Sequence, residues 1–164
     1  MRNKLSAIFV VIIAFLGLGF ANANNAAALD GDNWSFWTNS TYLGGIKCAT
    51  PQGNGTANGT VLTSYECTYS ELQRFKHDSA GRIVHKVSGK CVTPQGDASG
   101  TNGAVLTLWT CGSSVAQKFV PSHSRTYTQY GGKCVTQKGD SWADGVWLTL
   151  WECASHYPDS QKWI

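Results

Sequence analysis

Beyond the first 23 residues, short runs of the chain alternate two kinds of side chain with a period of two. The runs at 105–109 and 147–151 read VLTLW and WLTLW, so leucines alternate with threonine and aromatic or β-branched residues. This alternation is typical of β-strands, and no window sustains the 3.6-residue period of an amphipathic helix. Residues 94–103 are dense in Gly, Asn, Asp and Ser and predict a turn. The pattern predicts an all-β domain whose leucines face the core.

The strands and turns belong to a threefold repeat. Its first cysteines are 43 and 43 residues apart, its second cysteines 44 and 42, and the glutamines of a Gln-x-aromatic motif 44 and 44. A period of this size indicates a repeat architecture, and closing the sheet would remove exposed strand edges. We expect residues 34–37 to supply the strand that pairs with the end of the chain. The repeating positions are Cys48, Cys91 and Cys134; Cys67, Cys111 and Cys153; and Gln73, Gln117 and Gln161.

The first 23 residues have the features of a secretory signal peptide. Arg2 and Lys4 precede an apolar run at 7–20, and 21–23 fits a cleavage site. An uncleaved membrane anchor is the alternative, although spanning a bilayer takes about 20 apolar residues. We expect a secreted protein with a signal peptide at 1–23 and a short extension at 24–33. One domain follows at 34–164, with repeats at about 34–76, 77–119 and 120–164.

The cysteine count indicates a disulfide framework, because the six cysteines are an even number in a chain expected to be secreted. Six cysteines allow about 15 pairings. The repeat makes one bridge within each unit the simplest choice. The expected bridges are Cys48–Cys67, Cys91–Cys111 and Cys134–Cys153.

Charge and residue spacing argue against several classes of function. Removal of Arg2 and Lys4 lowers the formal net charge of +3 by two, and the remaining basic residues are scattered rather than gathered in the stripe of a nucleic-acid binder. The histidines lack metal-ligand spacing, and no G-x-S-x-G nucleophile motif occurs. We expect no enzymatic activity, cofactor, metal or nucleic-acid partner, and no membrane span in the mature chain.

The threefold frame resembles the ricin B-type lectin domain. The second unit carries the GKCV tetrapeptide at 89–92 and the third carries Gln-Lys-Trp at 161–163, and the spacing between such motifs recurs in each unit. The resemblance covers about 34–164. It implies a β-trefoil with pseudo-threefold symmetry and sugar binding in shallow pockets, often of galactose-type or xylan-type sugars.

The alternation and the resemblance together place candidate sugar-binding residues on the outward faces of strands. Trp109, Trp151 and Tyr65 are candidate stacking platforms, with Trp147 as a further one; packing under a loop is the alternative. Where the family usually carries aspartate, this chain has threonine three times. The outward threonines are Thr50, Thr93 and Thr136, with Thr63, Thr107 and Thr149 on the neighbouring strands. The family's asparagine before the motif glutamine is replaced by Leu72, Ala116 and Ser160.

Acidic residues in the turns offer replacement carboxylates. Asp97 and Asp140 each follow the first cysteine of their repeat by six residues, and Asp144 lies further along the same loop of the third repeat, beside Trp142. We expect these carboxylates to reach over the aromatic faces, or else only to cap their own turns. The motif glutamines are expected to be structural, because one amide can satisfy several buried backbone groups.

Two functions stay open at this point. The outward tryptophans favour a lectin that binds a glycan or polysaccharide weakly, through stacking and hydrogen bonds, most strongly in the third repeat and least in the first. The three threonines favour a trefoil that has lost sugar binding and serves as an interaction or toxin-delivery subunit for a partner protein. A trefoil protease inhibitor is a third possibility, but no loop in the sequence marks it.

Overall fold

A computed structural model describes residues 34–39, 45–122, 125–128, 130–156 and 158–163. The expected signal peptide at 1–23 and the extension at 24–33 lie outside these residues. None of the helical segments in the described ranges has the length and apolar character needed to cross a bilayer.

The described residues form twelve short β-strands, and their helical segments are 3-10 turns of three residues. The expectation of an all-β fold is confirmed. The strands are β1 (Ser35–Phe36), β2 (Thr38–Asn39), β3 (Lys47–Pro51), β4 (Leu62–Glu66), β5 (Arg74–His77), β6 (Ile83–His85), β7 (Cys91–Pro94), β8 (Leu106–Trp109), β9 (Phe119–Ser122), β10 (Arg125–Thr128), β11 (Lys133–Gln137) and β12 (Val146–Glu152). The turns are Gln52–Asn54, Glu71–Gln73, Gln95–Asp97, Val115–Gln117, Lys138–Asp140 and Asp159–Gln161.

The strands pair in two antiparallel sheets, ordered β1-β5-β6-β7-β8 and β2-β3-β4-β12-β11-β10-β9. The prediction that residues 34–37 supply a strand paired with the end of the chain was wrong about the partner strand. β1 pairs with β5, and β2 pairs with β3, within the same repeat. This segment meets the end of the described chain through side chains instead, where the Trp37 and Trp163 rings pack edge to face at 5.7 Å.

The core repeats with the chain. Leu62, Leu106 and Leu148 are fully buried, as the alternation predicts, and they pack with the aromatic residue of each Gln-x-aromatic motif. The first repeat departs from the others at Ser64, which is buried where the equivalent strands carry leucine. These contacts hold β4, β8 and β12 against a common interior, so that their opposite faces point away from the core. The motif aromatics are Phe75, Phe119 and Trp163.

Three disulfides join Cys48 to Cys67, Cys91 to Cys111 and Cys134 to Cys153, the pairs expected from the sequence. Their Cα atoms lie 5.0, 5.0 and 5.1 Å apart, inside the usual range for a disulfide. Each bridge ties the start of one strand to the segment that follows its partner strand. The bridges therefore hold the hairpins that carry the candidate site residues.

Candidate functional site

Three surface clefts lie at equivalent places around the molecule. The first cleft contains Tyr65, the second Trp109 and the third Trp151, and their volumes are about 490, 300 and 400 Å³. Each is lined by the 3-10 turn that follows a first cysteine, by the aromatic residue, by one threonine from each strand of the hairpin and by a glycine from the preceding repeat, counted cyclically. Each cleft is thus assembled by two repeats.

The aromatic side chain of each cleft is exposed, as the alternation predicts. Tyr65 is 44% exposed, Trp109 49% and Trp151 50%. The two tryptophans stand against glycines: a Cβ placed on Gly59 would lie 3.7 Å from Cζ3 of Trp109, and one on Gly103 would lie 3.6 Å from Cζ3 of Trp151. Both glycines have a positive φ, which other residues rarely adopt. The glycines support one edge of each ring and leave much of its surface open to solvent.

The threonines at the base of the clefts are buried, which corrects the expectation that they are exposed. Thr93 and Thr107 point away from the core, but the segment carrying Gln117 covers them. The Thr93 hydroxyl donates to the Cys91 carbonyl at 3.0 Å and accepts from Gln117 Nε2 at 2.9 Å. The Thr107 hydroxyl donates to the Thr93 carbonyl at 3.0 Å. The same bonds recur at Thr50 with Thr63, where Thr50 is only partly buried, and at Thr136 with Thr149.

These bonds determine what the base of a cleft offers to a ligand. A hydroxyl has one hydrogen to donate, and each of these threonines already donates it to a backbone carbonyl. Only oxygen lone pairs remain. The base of each cleft can therefore accept hydrogen bonds but has no threonine donor left.

The motif glutamines hold the segment behind each cleft. Gln117 Oε1 accepts from the Gly112 amide at 2.8 Å, and Gln117 Nε2 also donates to the Thr110 carbonyl at 3.0 Å. Gln73 and Gln161 make the equivalent bonds, to Thr68 and Glu66 and to Ala154 and Glu152. Each amide is buried and uses both ends on the protein. None of these glutamines has a free donor directed at the clefts.

The turn residues beside the clefts share one backbone conformation and differ in their side-chain partners. Asn54, Asp97 and Asp140 all have a positive φ, of 57°, 57° and 52°. Asp140 Oδ1 accepts a hydrogen bond from the Ser160 hydroxyl at 2.5 Å. The Asp97 carboxylate makes no hydrogen bond or ion pair with the described residues. The second and third clefts each have a turn carboxylate, whereas the first has an asparagine.

Asp144 and Trp147 do not line the third cleft, contrary to expectation. Asp144 Oδ1 accepts from Lys47 Nζ at 2.5 Å and from the Glu66 amide at 2.9 Å, which closes the third repeat onto the first. The Trp147 ring lies under Lys138 Nζ, 4.6 Å from its centroid. The loop before β12 runs toward the neighbouring repeat, so residues close in sequence to Trp151 belong to different surroundings.

Sequence reasoning gave no functional role to several residues at or near the third cleft. Ser160 was noted only as a departure from the family pattern, although it is the sole hydroxyl among the three equivalent residues. Gln137 replaces a proline found in the other repeats, and its buried amide has no hydrogen-bond partner among the described residues. Alignment of the repeats on their cysteines shows both differences. Their contacts depend on the folded structure.

Two histidines outside the clefts have altered acidity. Burial lowers the pKa of His85, and a hydrogen bond to the Leu72 carbonyl opposes that effect in part. Burial also lowers the pKa of His77, where the nearby Asp78 carboxylate opposes it. Within the described ranges, no group of His, Cys, Asp and Glu side chains has the arrangement of a metal site.

The family to which the sequence matches agrees with this architecture. Residues 27–163 match the family described as the ricin-type beta-trefoil lectin domain. The chain belongs to the ricin-type β-trefoil lectin family. The resemblance expected from the cysteine and Gln-x-aromatic repeats is confirmed, and lectin membership supports carbohydrate binding in general. No curated protein matches this lectin chain significantly.

Solved structures share the lectin fold at low sequence identity. The designed threefold-symmetric protein ThreeFoil is 18% identical with a TM-score of 0.68, covering 80% of this chain and 96% of that one. The C-half of an earthworm R-type lectin, in complex with GalNAc, is 13% identical with a TM-score of 0.65, covering 80% and 96%. GalNAc-T7 with UDP, GalNAc and Mn²⁺ is 17% identical with a TM-score of 0.60, covering 80% and 22%. At these identities the likeness shows the fold, which occurs alone and inside a much longer chain.

Proposed function

We propose that this protein binds neutral glycans through the second and third clefts, with the first cleft contributing least. The observation that carries the proposal is the half-exposed tryptophan of each cleft, Trp109 and Trp151, held beside a turn carboxylate and above a base of hydrogen-bond acceptors. A sugar presents an apolar C–H face and a rim of hydroxyl donors. That combination fits a ring face flanked by acceptors.

The energetics of such a cleft indicate weak binding per site. An aromatic contact contributes about 0.5–1.5 kcal/mol beyond buried area, and each net hydrogen bond about 1 kcal/mol. One stacked ring and two or three hydrogen bonds correspond to a dissociation constant in the millimolar to high micromolar range. Useful affinity then comes from several clefts engaging one multivalent glycan or polysaccharide.

Family membership and the structural neighbours support the proposal. The earthworm R-type lectin of the same fold holds GalNAc. An aminosugar of that kind offers the hydroxyl donors that the clefts need, and it belongs in the first panel of probes. The proposal assigns binding and no catalysis to this chain, and it places the protein outside the cell, where disulfides persist.

The test is a titration of the oxidised protein with methyl glycosides of galactose, GalNAc, glucose, mannose and xylose. Indole N–H signals in ¹H–¹⁵N spectra report on Trp109 and Trp151 separately. We expect saturable shifts of both signals with at least one glycoside. Trp109→Ala should leave the shift of the Trp151 signal unchanged, and Trp151→Ala that of the Trp109 signal, while the backbone amide signals around the altered cleft no longer shift. Tyr65→Ala should leave both indole shifts unchanged.

A melting curve of each variant serves as the control for folding. Small changes in melting temperature are expected, because about half of each tryptophan side chain is exposed. Absence of any shift in the folded wild type would reject glycan binding. Loss of binding that accompanies unfolding would remove the evidence for the stacking role.

The second candidate function is an interaction subunit that does not bind sugar. The observation that favours it is the neutral, self-satisfied threonine at the base of all three clefts, Thr50, Thr93 and Thr136. In this reading the exposed tryptophans contact a partner protein. A wild type that ignores every glycoside, and whose Trp109 and Trp151 signals shift with a co-expressed protein, would support this candidate instead.

A further inference from the structure

The three turn residues form an internal comparison. Asn54, Asp97 and Asp140 follow a left-handed glycine and are themselves left-handed, so the backbone presents the three side chains in the same way. All three line their clefts. Asp97 and Asp140 are also the same residue type, so a difference in what these two side chains do must come from their surroundings.

Among the residues that the structure describes, the turn residue has a side-chain partner in the third repeat alone. Ser160 donates to Asp140 Oδ1 across 20 residues of sequence, whereas the equivalent position carries Ala116 in the second repeat and Leu72 in the first. Neither of these side chains has a hydrogen-bonding group. The Asp97 carboxylate accordingly lacks a hydrogen bond to any described residue.

Ser160 is itself held in place. Its side chain is buried, and it lies in the turn Asp159–Gln161 immediately before the glutamine whose amide bonds Thr136, Glu152 and Ala154. The Ser160 hydroxyl is therefore a donor on a fixed support. The bond to Oδ1 restrains the Asp140 side chain, and Oδ2 makes no hydrogen bond with the described residues.

From these contacts we propose that Ser160 is a positioning residue, which holds Asp140 as the charged hydroxyl acceptor of the third cleft. The inference rests on the proposed glycan binding and deepens it. Thr136 at the base of this cleft is neutral and already bonded. Glu152 also lines the cleft, but it is exposed and its carboxylate makes no hydrogen bond with the described residues. Asp140 is therefore the carboxylate beside Trp151 that is held in advance. A positioned acceptor loses less conformational freedom on binding than the free Asp97 side chain does.

The ligand class follows from the acceptor chemistry. A carboxylate oxygen accepts strong, charge-assisted hydrogen bonds from hydroxyl groups. The third cleft should therefore prefer a sugar whose ring stacks on Trp151 while a free hydroxyl reaches Asp140 Oδ2. Removal of that hydroxyl from the sugar should weaken binding at the third cleft more than at the second.

The chain supplies matched variants for the test. Ser160→Ala copies the second repeat into the third, and Ala116→Ser copies the third into the second. Both exchanges are small, and each introduces the residue that the equivalent buried position of the other repeat carries. Site-specific dissociation constants come from the Trp151 and Trp109 indole signals, with the methyl glycoside that binds most tightly as probe.

We expect Ser160→Ala to weaken binding at Trp151 by about three- to tenfold, in line with one lost net hydrogen bond. Binding at Trp109 should stay unchanged. Ala116→Ser should strengthen binding at Trp109 by a smaller factor, because it gives Asp97 the same donor. Ser160→Thr should keep much of the affinity that Ser160→Ala loses, since threonine retains a hydroxyl.

A double-mutant cycle separates positioning from a merely structural role. Asp140→Gly removes the carboxylate without strain at a positive φ, and Ser160→Ala should then have no further effect on the dissociation constant at Trp151. An equal loss with and without the Asp140 side chain would overturn the inference. So would an unchanged Trp151 site in Ser160→Ala, or glycoside binding at Trp109 with none at Trp151. Absence of binding at every cleft would reject the proposed function itself.

Discussion

The second and third clefts share their backbone and differ in a few side chains. In both, a half-exposed tryptophan packs beside a glycine with a positive φ. Both also bury two threonines that are joined by a hydrogen bond. The third has Ser160 where the second has Ala116, and Gln137 where the second has Pro94. The repeated residues build the clefts, and the unrepeated ones give each cleft its own chemistry.

This comparison changes the reason for ranking the third repeat first. The sequence argument rested on Trp147 and Trp151 on one outward face, with Asp140, Trp142 and Asp144 in the loop above it. The structure directs Trp147 and Asp144 elsewhere, and it leaves Trp151 with an aspartate fixed by Ser160. The ranking itself stays a prediction.

The largest expected effect is the loss of stability when a disulfide is removed. It tests whether the second and third repeats depend equally on their disulfides. Their bridges span 20 and 19 residues, so the chain-entropy argument expects similar contributions of about 3 kcal/mol each. Cys91 and Cys111 changed together to Ala, or Cys134 and Cys153 changed together, should each lower the free energy of unfolding by that amount. Urea titration measures both. Losses that differ by more than about 1 kcal/mol would show that the repeats are not equivalent in stability.

A smaller effect tests the difference between Gln137 and Pro94. Gln137 is buried with both amide atoms unpartnered, and its φ of −68° already suits proline. Pro94 occupies the same register, opposite a buried leucine. Gln137→Pro should raise the free energy of unfolding by about 1–3 kcal/mol, because it removes unpaired buried polar atoms.

Pro94→Gln is the reverse exchange and should lower stability by a similar amount. Both variants are measured by urea unfolding, with glycoside binding at Trp109 and Trp151 as a second readout. A fall in stability for Gln137→Pro would contradict the argument, since it would mean that a buried water satisfies the amide.

The smallest expected effect is the pH dependence of stability that arises from His85, a residue of the second repeat that the third repeat lacks. This residue is fully buried where the third repeat has Thr128. Burial lowers the folded-state pKa of His85 below the ordinary value of 6.5, so the unfolded chain binds the proton more readily. The free energy of unfolding should therefore be constant above about pH 6.5 and fall as the pH drops below it.

His85→Thr should remove part of this pH dependence and leave the part due to His77, whose pKa is lowered in the same direction. The hydrogen bond to the Leu72 carbonyl opposes the effect of burial, which keeps the expected change modest. Melting temperatures of both proteins from pH 5 to 8 test this. A wild type that gains stability on acidification across that range would have the opposite sign and contradict the assignment.

Much of the fold could be predicted because its signals are local or periodic. Alternation along β8 and β12 is enough to bury Leu106 and Leu148 and to expose Trp109 and Trp151. The nearly equal spacing of the cysteines makes one set of disulfides the simplest choice among many. These features depend on positions within one strand or on the period of the repeat, and both can be read along the chain.

The threonines show where such reasoning stops. Alternation correctly turns Thr93 away from the core, but it does not say what covers that face. Gln117 lies 24 residues further on, and its amide covers and bonds the Thr93 hydroxyl. The exposure of an outward strand residue depends on the segments that pack over it, and the alternation along the strand carries no information about those segments.

The sequence by itself determined the all-β class, the threefold repeat, the lectin family, the disulfide pairs and the outward tryptophans. Only the tertiary structure decided that Asp140 meets Ser160, that Asp144 bonds Lys47 97 residues away, and that each cleft borrows a glycine from another repeat. The physical reason is the distance along the chain over which each interaction acts. Strand alternation and repeat spacing follow from geometry along the chain, whereas hydrogen-bond partners between turns depend on how three repeats close around one core.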